Sequence, residues 1–314
     1  MASDTKGESA LLKSLDWIFV TRPIVLIPAW AFLLAGYLRA HELAGETSAA
    51  TRPLLVPFGL LTLVLAGVYI VNQIYDRESD KENGKLFLLA EGHIGPRAAW
   101  IEAIVLLAIG LAATAALRPA LLPGLAAAAA LGLLYSVPPV RFKARPLVDL
   151  AANAVGYGAV TFLTGYRLGE GEGLPIARTL PYMLIVGGVF LHTALVDEEG
   201  DRKAGMRTTA ILLGGRSAGI AALLLLVAAA VAGIVVEEPY AALASIGAAP
   251  FFVWAVFLPG RKGSTLAYQW GSLLFVLLLV IREPFFGLWL AVLVAATRLY
   301  YRFRFGMVYP RLDF

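Results

Sequence analysis

Cysteine is absent from the 314 residues, which excludes disulfides, a thiolate nucleophile and any thiolate-ligated metal. Histidine is scarce: His41, His93 and His192 lie far apart in the chain, which argues against a histidine-built metal centre. Charge is also thin. Asp, Glu, Lys and Arg make up 15% of the residues, against about 25% in an average soluble domain, and mean hydropathy is +0.76. These values exclude a water-soluble fold and leave a polytopic helical membrane protein. No cleavable secretory signal is expected, because the first apolar run begins late, after Asp16-Trp17, and lacks a small-residue cleavage site.

Apolar sequence is abundant. Pro, Gly and charge clusters divide it into ten runs, near 22–40, 53–76, 96–117, 119–136, 146–166, 178–196, 216–236, 239–258, 265–281 and 285–305. Several approach the ~20 residues that cross the hydrocarbon. The runs at 119–136 and 265–281 are short, so the fold class expected is an all-α transmembrane bundle of nine to ten spans, with ten preferred. With ten spans, twenty of the 26 Lys and Arg residues fall on one side of the membrane, leaving Arg39, Arg52, Arg118, Arg167, Arg178 and Arg282 on the other. The positive-inside rule assigns the richer side, with both termini, to the cytoplasm. Residues 1–314 are expected to form a single transmembrane domain. Leu11, Leu12, Leu15 and Ile18, beside Lys13 and Asp16, mark 1–20 as a segment containing a short amphipathic helix on the membrane surface.

The second run closes in V-N-Q-I-Y-D-R-E-S-D-K-E-N-G-K, residues 71–85. Asn72, Asp76 and Asp80 recur every four residues, so a helix continuing through them stacks all three on one face. The sixth run closes in T-A-L-V-D-E-E-G-D-R-K-A-G, with Asp197 and Asp201 at the same spacing. Ten spans place both acidic stripes on the cytoplasmic face. The plain alternative is a pair of solvated loop clusters, with Glu78 and Glu82 as examples. Asp and Glu are disfavoured at membrane depth and usually functional when found there, two such stripes on one face favour a metal site, and hard oxygen donors without His or Cys favour Mg²⁺. Facing each other across a cavity, the two stripes predict Mg²⁺ held against a diphosphate.

Cations complete that expectation. The fourth connection reads Y-S-V-P-P-V-R-F-K-A-R-P, and Pro138-Pro139 fixes the chain just before Arg141 and Lys143. Arg22 opens the first span, while Lys85, Arg202 and Lys203 flank the acidic stripes. Arg forks and Lys point charges suit the oxygens of a diphosphate; otherwise these residues are ordinary cytoplasmic anchors. A metal and cations around a diphosphate, opening into an apolar interior, imply departure of pyrophosphate from an allylic carbon. The resulting cation needs shielding from water and aromatic faces to stabilise it. Tyr75, Tyr135, Tyr157, Phe162, Tyr166 and Phe190 are candidates to line such a pocket, with Tyr135 favoured because it abuts the basic loop.

Together these motifs resemble the UbiA-type intramembrane prenyltransferases. Asn72, Gln73, Asp76 and Asp80 match that family's first motif, and Tyr135 through Lys143 match its Y-S-x-P-P-x-R-x-K segment. Asp197, Asp201, Gly205, Thr208 and Gly214 match its second acidic motif. The resemblance implies a helical bundle, usually of nine spans, around a central cavity that opens laterally to lipid. It implies Mg²⁺-dependent transfer of a prenyl chain from a prenyl diphosphate to a lipophilic or aromatic acceptor. It further implies metal binding by Asn72, Asp76, Asp80, Asp197 and Asp201, diphosphate binding by Arg22, Asn72, Lys85, Arg141, Lys143 and Lys203, and a catalytic role for Tyr135 with the acids. Lys85 stands where many members carry Arg after the first motif. A tenth span departs from the family's usual count.

Two other functional classes remain to be distinguished. A transporter with acids near the midplane on broken helices is one, although here the acids lie near span ends. A CDP-alcohol phosphotransferase is another, but its D-G-x-x-A-R signature is absent. The acceptor is left open among a quinone precursor, a tetrapyrrole and a glycerol-based lipid. Expected partners are the prenyl diphosphate, the hydrophobic acceptor and the bilayer, with no nucleic acid and no obligate protein partner.

Overall fold

Prolines start several of the helices. Pro96, Pro119, Pro239 and Pro284 each open a helical segment at its first turn, where a missing N–H has no intrahelical partner to lose. The computed structural model is described over residues 10–46, 54–82, 88–171 and 173–310, and among these residues it contains no strand. Helix α1 (Ala10–Phe19) precedes a 3-10 turn (Pro23–Leu26) and α2 (Ile27–Leu43). Then follow α3 (Leu55–Glu82), α4 (Pro96–Leu117), α5 (Leu122–Ser136), α6 (Val148–Asn153) and, after a π-helical segment (Ala154–Thr161), α7 (Phe162–Leu168). The chain ends with α8 (Ile176–Lys203), the short α9 (Thr209–Leu213), α10 (Gly215–Val235), α11 (Pro239–Phe257), α12 (Arg261–Arg282) and α13 (Pro284–Phe305).

Among the described residues, nine helical stretches are long and apolar enough to cross a membrane. The fifth expected span is the continuous rod of α6, the π segment and α7. Its i→i+5 turn could not be read from hydrophobic periodicity. The first span differs from its expected start at residue 22: Pro23 disfavours right-handed helical geometry at the residue before it, the chain turns at Arg22, and α2 begins only at Ile27 after a 3-10 turn. Outward faces carry apolar side chains such as Ile101, Ile104, Leu224, Val231, Phe257 and Val292, as a lipid-facing surface requires.

Helices α3 and α8 have 28 residues each, about 42 Å at 1.5 Å per residue and longer than the ~30 Å hydrocarbon core. Each therefore extends past the membrane as helix, and the extensions carry the two acidic stripes. Close packing holds the bundle around them. Helix α2 crosses α7 where Gly36 faces the Phe162 carbonyl and Gly165 faces the Leu33 carbonyl, leaving no room for a Cβ on either. The π segment meets α8 in the same way, with Gly158 against the backbone of Met183.

At the end of the bundle away from the stripes, Glu238 is fully buried. It accepts hydrogen bonds from Arg39 Nε (3.3 Å), Arg178 Nη1 (3.0 Å) and Tyr182 OH (2.9 Å). Arg39 Nη1 also bonds Glu42, which accepts in turn from Tyr240. This network closes that end with paired charge.

Candidate active site

The helix carrying V-N-Q-I-Y-D-R-E-S-D stays regular to Glu82, so Asn72, Asp76 and Asp80 do share one face. Asn72 Nδ2 donates to Ser136 Oγ at 3.0 Å, and its side-chain oxygen takes no hydrogen bond from the described residues. Asp76 accepts from Lys143 Nζ, and Asp80 is buried. Glu78 and Glu82 lie exposed off the stripe, as solvated charges should. Helix α8 likewise continues through Asp197 and Asp201. The ends of α3 and α8 meet: Lys203 Nζ reaches Glu82 Oε2 at 3.5 Å.

Lys143 joins the two stripes. It follows α5 in a 3-10 turn (Phe142–Ala144) and is buried on Asp76, within electrostatic reach of Asp201. Burial pushes its ammonium down to about 7, with Asp201 opposing that shift. Among the described residues, no three Asp, Glu or His side chains converge at metal-ligand distance, and the Asp76 carboxylate is paired with Lys143. Their chemistry nevertheless fits Mg²⁺: two all-oxygen stripes and an amide oxygen, with no competing soft donor.

Arg22 and Arg141 are built alike. Each has a left-handed backbone (φ 55° and 40°), and each immediately precedes a 3-10 turn. In each, Nε is buried without a hydrogen-bond partner among the described residues. Arg22 opens onto a cavity of about 220 Å³. Asn72, Ser136, Tyr135, Tyr157, Tyr69 and Asn153 supply its polar lining, while Leu65, Val68, Leu131 and Thr161 continue inward. Tyr69 and Tyr157 share a 2.7 Å hydroxyl–hydroxyl hydrogen bond, and Asn153 Nδ2 donates to the Asp149 carbonyl at 2.9 Å. Phe32 packs against the Tyr157 ring with centroids 6.5 Å apart.

Of the aromatic candidates, Tyr135 and Tyr157 line this cavity and four do not. Tyr75 packs edge-on against Trp100, and Phe162 stacks on Tyr182 at 4.5 Å. Tyr166 covers Gly171, and Phe190 does not border the cavity. Lys203 is half-exposed and paired with Glu199 (3.1 Å) and Glu82, so it braces the helix ends outside the cavity. Arg202 pairs with Glu198 at 2.6 Å. Lys85 lies outside the described residues. Sequence reasoning missed Tyr69 and Asn153. Tyr69 sits one turn before Asn72 on the acidic face, and Asn153 one turn after Asp149, so extending the polar stripes inward would have found both. Asp149 itself is fully buried and accepts from the Thr209 amide (2.7 Å) and the Leu150 amide (2.8 Å), tying α6 to α9.

The UbiA prenyltransferase family model matches residues 24–263. Among curated proteins, 2-acyl-4-prenylphloroglucinol 6-prenyltransferase of Humulus lupulus is 31% identical over 51% of this chain and 42% of its own length. Lycopene elongase/hydratase of Haloferax volcanii is 31% identical over 64% of this chain and 62% of its own. The chain thus spans about half the length of these relatives. A solved UbiA homologue of Archaeoglobus fulgidus, bound to GPP and Mg²⁺, superposes with a TM-score of 0.65 at 24% identity, covering 85% of this chain and 99% of that one. At that identity the likeness shows the shared fold.

Proposed function

Because the chain belongs to the UbiA prenyltransferase family, we propose that it transfers a prenyl group from a prenyl diphosphate to a lipophilic acceptor, with Mg²⁺, releasing pyrophosphate. The observation that carries this reading is the pair Arg22 and Arg141. Two guanidinium groups keep buried Nε donors without a partner among the described residues; Arg22 lines the polar-mouthed apolar cavity, and Arg141 lies on the connection that follows Tyr135 and Ser136 of its lining. Such donors are costly unless an anion satisfies them.

Asn72, Asp76, Asp80, Asp197 and Asp201 hold Mg²⁺ in this reading. When bound, Mg²⁺ adds positive charge to the diphosphate as its bond to the prenyl carbon breaks. Arg22, Arg141 and Lys143 bind the diphosphate oxygens and stabilise the departing pyrophosphate. The prenyl chain lies in the cavity, where Tyr69, Tyr135 and Tyr157 exclude water and turn ring faces toward the allylic carbon. An electron pair of the acceptor forms the new bond to that carbon, and the acceptor then loses its proton.

The site lies on the cytoplasmic side in this reading, since most of the Lys and Arg residues fall on the side of the acidic stripes. Closure of the opposite end by the Glu238 network disfavours a transport path through the bundle. The acceptor is a lipophilic nucleophile, with an aromatic quinone precursor preferred. Incubating the purified protein with Mg²⁺, labelled geranyl diphosphate and a panel of phenolic, tetrapyrrole and glycerol-lipid acceptors tests the reading by mass spectrometry. Mg²⁺-dependent prenylation of one acceptor class supports it; absence of both pyrophosphate and prenylated product across the panel overturns it.

A further inference from the structure

Arg22 occupies a left-handed backbone conformation that non-glycine residues avoid, so its surroundings must enforce it. Pro23 disfavours the ordinary helical alternative, but it does not choose the left-handed one or orient the side chain. The chain just before Arg22 is held by α3 and by α13, at the opposite end of the chain.

Asp16, one turn before Val20 on α1, is buried at 4% exposure. Its carboxylate accepts from Tyr300 OH (2.6 Å), Arg304 Nε (3.0 Å) and Arg304 Nη2 (3.1 Å), all on the last turns of α13. Phe19 stacks on the Tyr300 ring at 3.8 Å and meets Tyr301 edge-on at 6.0 Å. Asp16 then accepts the Val20 amide at 2.9 Å through its backbone carbonyl, and the Val20 carbonyl accepts Gln73 Nε2 at 2.7 Å. Gln73 is buried next to Asn72 on α3. The Val20–Arg22 turn is therefore clamped from α13 on one side and from the acidic helix on the other. Tyr301 lies within electrostatic reach of the Arg22 guanidinium.

We propose that Asp16, Tyr300 and Arg304 are positioning residues that lock α1 against α13 and thereby aim Arg22 at the donor's diphosphate, making the C-terminal helix part of the donor site. This deepens the prenyltransferase reading and rests on Arg22 binding the diphosphate. Asp16, Arg22, Tyr300 and Arg304 all lie outside the stretch matched by the family model. A buried Arg–carboxylate pair is a geometric device of this kind: forked hydrogen bonds fix direction as well as distance, and removing one partner strands the other.

The test is the affinity of the full-length protein for geranyl diphosphate in Mg²⁺, measured by calorimetry, with the thermal midpoint recorded beside it. Loss of a charge-assisted contact predicts that Arg304→Gln and Arg22→Gln each weaken binding roughly tenfold or more, and that the double variant is no weaker than Arg22→Gln alone. Arg304→Lys keeps the charge but not the fork, and leaves affinity between that of the parent and that of Arg304→Gln. Tyr300→Phe keeps the stack on Phe19 but deletes the hydroxyl, and gives an intermediate loss even if Arg304→Gln does not fold. If Arg22→Gln weakens binding while Arg304→Gln and Tyr300→Phe lower only the thermal midpoint, the positioning role is overturned and the donor site stands. Additive losses in the double variant overturn it in the same way. If Arg22→Gln leaves affinity unchanged, the assignment of Arg22 to the diphosphate falls first, and the positioning role with it.

Discussion

Arg22 and Arg141 adopt the same left-handed backbone, each just before a 3-10 turn and each with a buried Nε unpartnered among the described residues. Two spans after Arg22 come Asp76 and Asp80, and two spans after Arg141 come Asp197 and Asp201. Each half of the site thus brings one strained arginine and one acidic stripe. Like polar ends four spans apart fit a parallel pseudo-repeat better than an inverted one, because both halves deliver charge to one face. The strain and the orphaned donors are separable from the fold, which makes Arg141 the sharper test.

Arg141→Gly removes the guanidinium and also relieves a positive φ, a relief of about 1 kcal/mol where only glycine is comfortable. The expected outcome is a thermal midpoint equal to or above that of the parent, with affinity for geranyl diphosphate in Mg²⁺ falling by roughly tenfold or more. Unchanged affinity in a stable variant would remove Arg141 from the donor site.

Alanine at Asp76, Asp80, Asp197 or Asp201 is expected to abolish Mg²⁺-dependent pyrophosphate release from a prenyl diphosphate. A coupled pyrophosphate assay reads this directly, and full activity in any one variant takes that residue out of the metal set. Asp76→Ala should also lower the thermal midpoint, since Lys143 then stays buried without its carboxylate. Chelation by EDTA should silence the parent protein, with Mg²⁺ restoring it.

The acidic stripes were legible because their four-residue spacing survives when α3 and α8 run past the membrane as regular helix. Arg22 was legible as a cation, and Pro23 even foretells its non-helical backbone. Asp16 was not. It reads as the polar face of a surface helix, yet it is buried by Tyr300, a partner 284 residues away in sequence. Tyr69 and Phe162 look alike in sequence, each an aromatic in an apolar run. Packing alone puts Tyr69 in the cavity and Phe162 on Tyr182. The π segment was hidden for a similar reason: it lies where Gly158 packs on the Met183 backbone, a contact that hydrophobic periodicity does not encode.

The Glu238 network gives the opposite prediction to the site residues. Glu238→Ala leaves Arg39 and Arg178 facing each other across a buried gap, a change of the kind that costs about 3–5 kcal/mol. A clear fall in thermal midpoint is expected. Folded variant at low temperature should still bind geranyl diphosphate with parental affinity, because the network lies at the far end of the bundle. A selective loss of donor binding without loss of stability would show that this end belongs to the substrate path.

Tyr157 separates binding of the donor from stabilisation of its cation. The ring lines the cavity, with its hydroxyl on Tyr69 and Phe32 behind it. Tyr157→Phe keeps the ring face and loses one neutral hydrogen bond, a change of about 1 kcal/mol that Tyr69 can partly offset through its contact with the Val25 carbonyl. Tyr157→Leu keeps apolar bulk and loses the face. A cation–π contact in a dry site is worth about 2 kcal/mol, so kcat should fall roughly 30-fold in the leucine variant while donor affinity changes little. The phenylalanine variant should stay within roughly fivefold of the parent in kcat. Equal losses in both variants would assign the effect to the hydroxyl, and a loss confined to donor affinity would make Tyr157 a wall of the prenyl pocket rather than a stabiliser of the cation.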